Sequence, residues 1–380
     1  MTSLPSHQIG ELPRSRTARR RELLLVALGA IAIYSVMALL VLSTHDWDPQ
    51  AFVLQRPADV PFSRAWGIGY DGQFAYAIAL DPIGAEGSES FDRPAYRYMR
   101  IVYPIAARIL ALGIPEFIPW SLLALNILVA GATAWLLADL AGVRAGAVWV
   151  VLILLLSLNY LIGIRLDLNE PLAILLSISG LWFHRRGRPV LAAAAFALAG
   201  LTKEVTLTFP VAVAIYEITR RNFKLATLLL LGSTLPYLAW SAAITQWLGT
   251  SPFSYSLSKP SLVFFAGIRR LQPIEAQIIV TIWAIGPAIL AALAAVGKSV
   301  REWPRLPSLM AWLILVNVAL LVTLPVESWV DPLAILRLAL GALVAGLLWL
   351  SQVKPRLLPY VAAIWIPSIL IAFLLPGLMI

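Results

Sequence analysis

Between Trp66 and Pro104 the chain reads WGIGYDGQFAYAIALDPIGAEGSESFDRPAYRYMRIVYP, gathering Asp71, Asp81, Asp92, Arg93, Arg97 and Arg100 among aromatic residues. These types supply a carboxylate for proton transfer, guanidinium forks that match phosphate oxygens, and aromatic faces suited to a sugar or a headgroup layer. In GYDGQFAYAIALDP, Phe74, Ala77 and Ile78 recur at helical spacing. A short amphipathic helix lying at a membrane interface is expected, with Asp71 at its N-terminus. Two roles are open to Asp71: an N-cap accepting a backbone hydrogen bond, or a general base taking a proton from a hydroxyl that attacks an activated carbon. In FDRPAYRYMRIVYP, Asp92 is a second cap candidate and Pro94 suits a first turn. Arg93, Arg97 and Arg100 fall at i, i+4 and i+7 beside Tyr96 and Tyr103, a basic stripe that can hold a phosphate or snorkel to lipid headgroups.

Further ionisable groups flank two short apolar runs, Pro171 to Phe183 and Val190 to Leu201, joined by the basic turn HRRGR. The spacing predicts a short hairpin whose far ends carry Arg165, Asp167, Asn169, Glu170, Lys203 and Glu204. Asn169-Glu170-Pro171 reads as a helix start opposite Lys203-Glu204. A Glu170–Lys203 ion pair that shields the hairpin end and a contact from Lys203 to a substrate phosphate are both open. Asp46 and Asp48 form a DxD, the spacing of a divalent cation that bridges phosphates, although such pairs are common in polar loops. Glu327, Asp331 and Arg337 make another polar cluster, and Phe253 to Arg270 is an aromatic-basic loop suited to a lid or to resting on an interface.

The elements that must carry these groups are membrane helices. Hydrophobic residues make up 60% of the 380 and charged residues 13%, against about a quarter charged in soluble domains. Apolar runs of about 20 residues recur, each long enough to cross a bilayer core, and no alternating strands of a barrel are present. The fold class expected is all-α: a polytopic membrane protein of roughly eleven spans with a large first extracytoplasmic loop. Residues 1–21 are a cytoplasmic basic tail and 22–380 a single transmembrane domain, with 44–116 the first outer loop. The first run, from about Leu23 to Leu42, is too long for a signal peptide and lacks a small-residue cleavage site, so it reads as a retained span. Alternating the spans puts 17 of the 29 basic residues beside the N-terminus with only five acidic ones, as the positive-inside rule requires. The net charge of +9 is thereby a topology signal, and nucleic acid is not a partner. Cysteine is absent, and His7, His45 and His184 lie far apart, so thiolate chemistry and histidine metal motifs are excluded.

On GYDGQFAYAIALDP, PAYRYMRIVYPIAARIL, NEPLAILL and LTKE, the sequence resembles bacterial membrane proteins of cell-surface glycopolymer formation. These belong to the GT-C class of polyprenyl-phosphate-sugar-dependent glycosyltransferases, and the YDG-plus-aromatic element is also similar to that of the GPI mannosyltransferases. The resemblance covers Trp66 to Leu112 and Leu166 to Val205; elsewhere only hydropathy is shared. It implies interfacial helices on the first outer loop, a catalytic carboxylate there matched by Asp71, and a lipid-linked sugar donor. It also implies an active site facing away from the cytoplasm of a bacterial plasma (inner) membrane. The acceptor class it implies is a glycan, a lipid or a protein. No acidic pair adjoins Asp71 as in some members, which leaves metal dependence open.

The leading expectation is inverting glycosyl transfer, with Asp71 as base and the donor phosphate held by Arg97 and Arg100 with Lys203 or Arg165. Tyr96 and Tyr103 position sugar or lipid, and Glu170 and Glu204 complete the substrate-binding set. Preset cations favour a leaving phosphate most in the transition state, where its charge grows. The rival readings are a transporter or flippase for a lipid-linked or anionic solute and a non-catalytic scaffold of polysaccharide assembly. A transporter should carry mid-membrane charges and discontinuous helices in two related halves, which the sequence does not repeat.

Overall fold

A computed structural model describes residues 16–53, 69–84, 91–142, 145–255 and 259–370, and every regular element among them is helical. Trp66 to Ile68, most of the basic tail, Arg144 and the last ten residues of the final apolar run lie outside the described residues. The chain opens with α1 (Arg16–Ser43), a single 3-10 turn (Pro49–Phe52), and three short helices: α2 (Gly72–Leu80), α3 (Pro94–Tyr98) and α4 (Val102–Leu110). Long α5 (Ile118–Ala141) is followed by α6 (Ala145–Leu155), α7 (Leu158–Arg165), α8 (Glu170–Arg185), α9 (Pro189–Thr202), α10 (Thr208–Thr219) and α11 (Phe223–Leu248). The last part holds α12 (Ile274–Val280), α13 (Gly286–Arg301), α14 (Leu309–Val322), α15 (Pro332–Leu338), α16 (Leu340–Val353) and α17 (Leu358–Trp365).

Four stretches are long and apolar enough to cross a bilayer: Thr17–Ser43, Pro115–Ala141, Phe223–Leu248 and Ile274–Arg301. Two bent pairs, α6 with α7 at 51° and α15 with α16 at 41°, raise the number to six if each is one span. Length and apolarity thus carry four to six crossings among the described residues, and the other apolar runs form shorter helices. Of the apolar window of α5, 67% is buried, against 28% for α1, α11 and the Ile274–Arg301 unit, so α5 is the central post and the others turn broad apolar faces outward. Outward apolar faces are what lipid contact requires.

The break between α6 and α7 follows from polar residues in an apolar run. Ser157 accepts from the Tyr160 N–H and Ser368 Oγ from the Leu158 N–H at 3.0 Å, so the freed amides of α7 have partners inside the protein. Asn159 Nδ2 donates to the carbonyl of Leu336 at 2.8 Å, fastening α7 to α15. Irregular backbone at such a depth persists only when it is satisfied in this way.

The expected interfacial helices are packed more deeply than amphipathic spacing suggested. On α2, Phe74 and Ile78 are buried with Phe91, Tyr98 and the α11 residues Tyr237 and Ile244, while Ala75 and Ala79 pack on Tyr103 and Ala107. Both flanks of α2 therefore have protein partners, while Gln73, Tyr76, Ala77 and Leu80 stay half-buried. The single arginine-bearing helix expected after Pro94 is two helices with a break at Met99 to Ile101. Pro104 lacks the N–H that the Arg100 carbonyl would need, so the helix stops and restarts with Pro104 in the first turn of α4.

Candidate active site

One end of the bundle brings together the start of α2, α3, the start of α8, the segment from α9 to α10, and α15. Gly72 sets the first of these. A Cβ there would lie 2.2 Å from the Leu166 carbonyl oxygen, so only glycine lets the head of α2 rest on the backbone before α8. That seating carries Asp71 to the floor of the site. Asp71 occupies the N-cap position but makes no capping hydrogen bond, which leaves its carboxylate to other groups.

Its partners are two arginines from different ends of the sequence. Arg97 Nη1 is 2.8 Å from Asp71 Oδ1, and Arg337 reaches Oδ2 with both terminal nitrogens at 3.2 Å. Arg97 is also gripped by Asp92, with Nε to Oδ1 at 2.9 Å and Nη2 to Oδ2 at 3.0 Å, and lies 3.8 Å above the Phe74 ring. Asp92 therefore holds an arginine and does not cap α3. Arg337 Nη1 is 2.7 Å from Glu170 Oε1, which Lys203 Nζ also contacts at 2.7 Å. Arg337 Nη2 donates to the Tyr70 hydroxyl at 2.9 Å, and that hydroxyl donates to Asp331 Oδ2 at 2.6 Å. Arg100 holds Glu204 by two bonds, Nε to Oε2 at 3.1 Å and Nη2 to Oε1 at 2.7 Å, and also contacts Tyr96. Tyr96 in turn donates to Glu204 Oε1 at 3.2 Å.

Burial alone would push the Asp71 carboxyl up, but Arg97, then Arg337, Lys203 and Arg100, hold it far below the usual carboxylate range. Burial likewise raises Glu204, and Arg100 and Lys203 overcome it, bringing the carboxyl to about 2. At Asp331 burial wins over Arg337, and its carboxyl titrates above the ordinary range. Burial and the positive charges of Arg100 and Arg337 lower the Lys203 ammonium against the pull of Glu170.

The cluster borders a cavity of about 420 Å³, lined by Asp71, Arg97, Arg100, Lys203, Glu204 and Arg337. The same lining includes Glu327 and Asp331 together with Tyr237, Phe253, Leu320, Leu324 and Leu338. Charged and apolar side chains thus share the cavity, which suits an amphiphilic molecule.

Of the residues that the sequence nominated, Asp71, Tyr96, Arg97, Arg100, Glu170, Lys203 and Glu204 meet here. Tyr103 and Arg165 do not. Tyr103 is fully buried and donates to the Leu122 carbonyl while accepting from Asn126, a packing role beneath α2. Arg165, 1% exposed, donates to the Ala51 carbonyl at 2.7 Å beside the Phe52 ring, pinning the loop after α1. The Asp46-Asp48 pair also stands apart: Asp48 Oδ1 accepts from the Gln50 N–H at 2.9 Å and caps a 3-10 turn. Among the described residues no group of three or more His, Asp or Glu side chains could hold a metal ion. Arg337 and Asp331, which the sequence marked only as a separate polar cluster with Glu327, join the site together with Tyr70. Arg337 carried a usable signal as an isolated cation in the apolar run PLAILRLALGALVAG, since ionisable residues in such runs face a cavity or one another.

Comparisons with protein-family models, curated proteins and solved structures found no match to this chain.

Proposed function

We propose that this chain is a membrane glycosyltransferase that moves a sugar from a polyprenyl-phosphate donor to a glycan, lipid or protein acceptor. The reading places the cavity on the extracytoplasmic side of a bacterial plasma membrane and the N-terminus in the cytoplasm, with the shorter apolar helices completing about eleven crossings. The observation that carries it is a cavity lined both by four cations with their carboxylate partners and by apolar and aromatic side chains. A lipid-linked sugar phosphate has that polarity.

In the reaction, the acceptor hydroxyl oxygen bonds to the anomeric carbon of the donor. The bond from that carbon to the phosphate oxygen breaks, its electron pair leaves with the phosphate, and the hydroxyl proton passes to Asp71. Attack opposite the leaving group inverts the anomeric centre. Held between Arg97 and Arg337, Asp71 is too weak a base for this step, because efficient general bases titrate near the working pH. A bound donor phosphate resolves the conflict by competing for the same guanidinium groups, which loosens the clamp and raises the proton affinity of Asp71. Growing charge on the leaving phosphate then strengthens its contacts with Arg97, Arg100, Lys203 and Arg337. Purified protein supplied with a lipid-linked sugar and an acceptor should form a new glycosidic bond. A folded Asp71→Ala variant with the unmodified rate removes the role given to Asp71.

The bent pairs favour a second reading. Discontinuous helices beside a charged cavity are features of secondary transporters, and α7 and α15 are both broken-span segments packed on each other near Arg337. Reconstituted protein that moves labelled lipid-linked sugar between leaflets without forming a bond would establish that reading over transfer.

A further inference from the structure

The segment from Lys259 to Arg270 lies at the rim of the cavity, to which it contributes Pro260, and the site chemistry leaves it unused. It is firmly anchored from beneath. The Ser261 N–H donates to the Thr323 carbonyl at 2.9 Å and the Phe265 N–H to the Val322 carbonyl at 3.0 Å, tying the segment to the end of α14. Gly267 sits so close to the fully buried Trp329 that a Cβ would be 2.3 Å from its ring, and the Phe265 ring meets Trp329 edge-on at 6.0 Å. Above these anchors three consecutive apolar side chains project outward: Leu262 is 94% exposed, Val263 68% and Phe264 66%. A polar surface does not hold such a tip in place for contact with water.

Two observations identify what covers it. First, α14 is an apolar helix that ends at Val322, so the tip bonded to Val322 and Thr323 stands where an apolar helix gives way to polar chain, the level of a bilayer surface. Second, Lys259, Arg269 and Arg270 surround the tip, are exposed, and make no ion pair or side-chain hydrogen bond among the described residues. The flanking acids Glu275 and Glu327 are exposed as well and pair with none of them. This contrasts with the cavity, where each cation has a carboxylate partner.

We propose that Lys259 to Arg270 is a docking site for the anionic lipid headgroups of the surrounding bilayer, with Leu262, Val263 and Phe264 seated among the acyl chains. The cations meet the lipid phosphates while the apolar tip fixes the rim of the cavity at the membrane surface. This placement rests on the membrane-spanning helices and is independent of whether the cavity transfers sugar.

The chain has no cysteine, so Phe264→Cys carries a single spin label, with Val263→Cys as the alternative if the first variant does not fold. In nanodiscs containing phosphatidylglycerol the label should be reached by dissolved oxygen and shielded from a water-soluble nickel complex. In purely zwitterionic discs that shielding should weaken. Each Gln replacement of Lys259, Arg269 or Arg270 should raise the anionic-lipid fraction needed for half-maximal shielding by about fivefold. Equal shielding in both lipids, free access of nickel in both, or unchanged lipid dependence in a folded triple Gln variant overturns the proposal.

Discussion

Two ends of the same helices carry charge clusters, and they differ in how far water reaches them. Glu170 opens α8 in the cavity cluster, and fifteen residues later, about 22 Å away, α8 closes beside a second cluster. There Asp139 binds Arg19 at 2.6 Å, Arg186 at 3.1 Å and the Trp182 indole at 2.8 Å, while His184 lies 2.9 Å from Glu217. The side chains of Arg19 and Arg186 are each 49% exposed, whereas Arg97 is 10% and Arg337 4%. Water can serve the first pair when a contact is lost, but the second depends on carboxylates or a replacement anion. The difference separates a solvated set of helix-end contacts from a site with stored binding capacity.

The largest effect expected is on catalysis. Asp71→Asn should lower the rate of sugar transfer by about 10²–10⁴-fold, while Asp139→Asn at the other end should leave it unchanged; equal losses in both would erase the contrast. Stability should divide the ends next. Arg337→Met leaves Glu170 to Lys203 and Asp71 to Arg97 alone and should cost about 3 kcal/mol, whereas Arg186→Met should cost less than about 1 kcal/mol, as read from thermal unfolding in detergent. Gly72→Ala should cost about 1–3 kcal/mol by forcing α2 off the Leu166 carbonyl and should slow transfer by more than its stability loss explains. Normal activity in that variant would detach the seating of α2 from the placement of Asp71.

A further effect concerns a group beneath the site that lacks the compensation found in the cavity. Asp167 is fully buried, and among the described residues its Oδ1 accepts only from Asn126 at 3.3 Å and its Oδ2 has no partner. Burial, opposed by Asn126 and Arg165, raises its carboxyl to about 8. The folded protein then binds a proton there that the unfolded chain releases near pH 4. Its contribution is intact below that value and is lost as pH rises toward 8, so stability should fall between pH 5 and 8. Asp167→Asn should flatten that slope; an unaltered slope would place the titration elsewhere.

How much of this was legible varied with the range of the interactions. The YDG element announced a helix start at Asp71-Gly72, and α2 begins at Gly72; that only glycine fits there came from the Leu166 carbonyl beside it. The charged ends of the short hairpin announced that Glu170 and Lys203 face each other, and they lie 2.7 Å apart. Arg165 shows the limit of the same reasoning. Arg165 stood among the charged residues at the hairpin end and Arg337 in a polar cluster with Glu327 and Asp331, yet one fastens a loop carbonyl and the other completes the site. Tyr103 was aligned with Tyr96 by continuing one helix through Pro104, and the break before α4 sends them to different places.

By itself the sequence determined the local and compositional facts: an all-helical chain rich in apolar runs, helix starts at glycine and proline, and a polar stretch built around Asp71. Periodicity and hydropathy suffice there because the forces act within a few residues or average over a long run. Only the tertiary structure decided that Asp71 is shared by Arg97 and by Arg337, 266 positions further along the chain. Charge pairing depends on distances of a few ångströms in a poorly solvated space, and no local pattern encodes which distant helix end will bring the second guanidinium there.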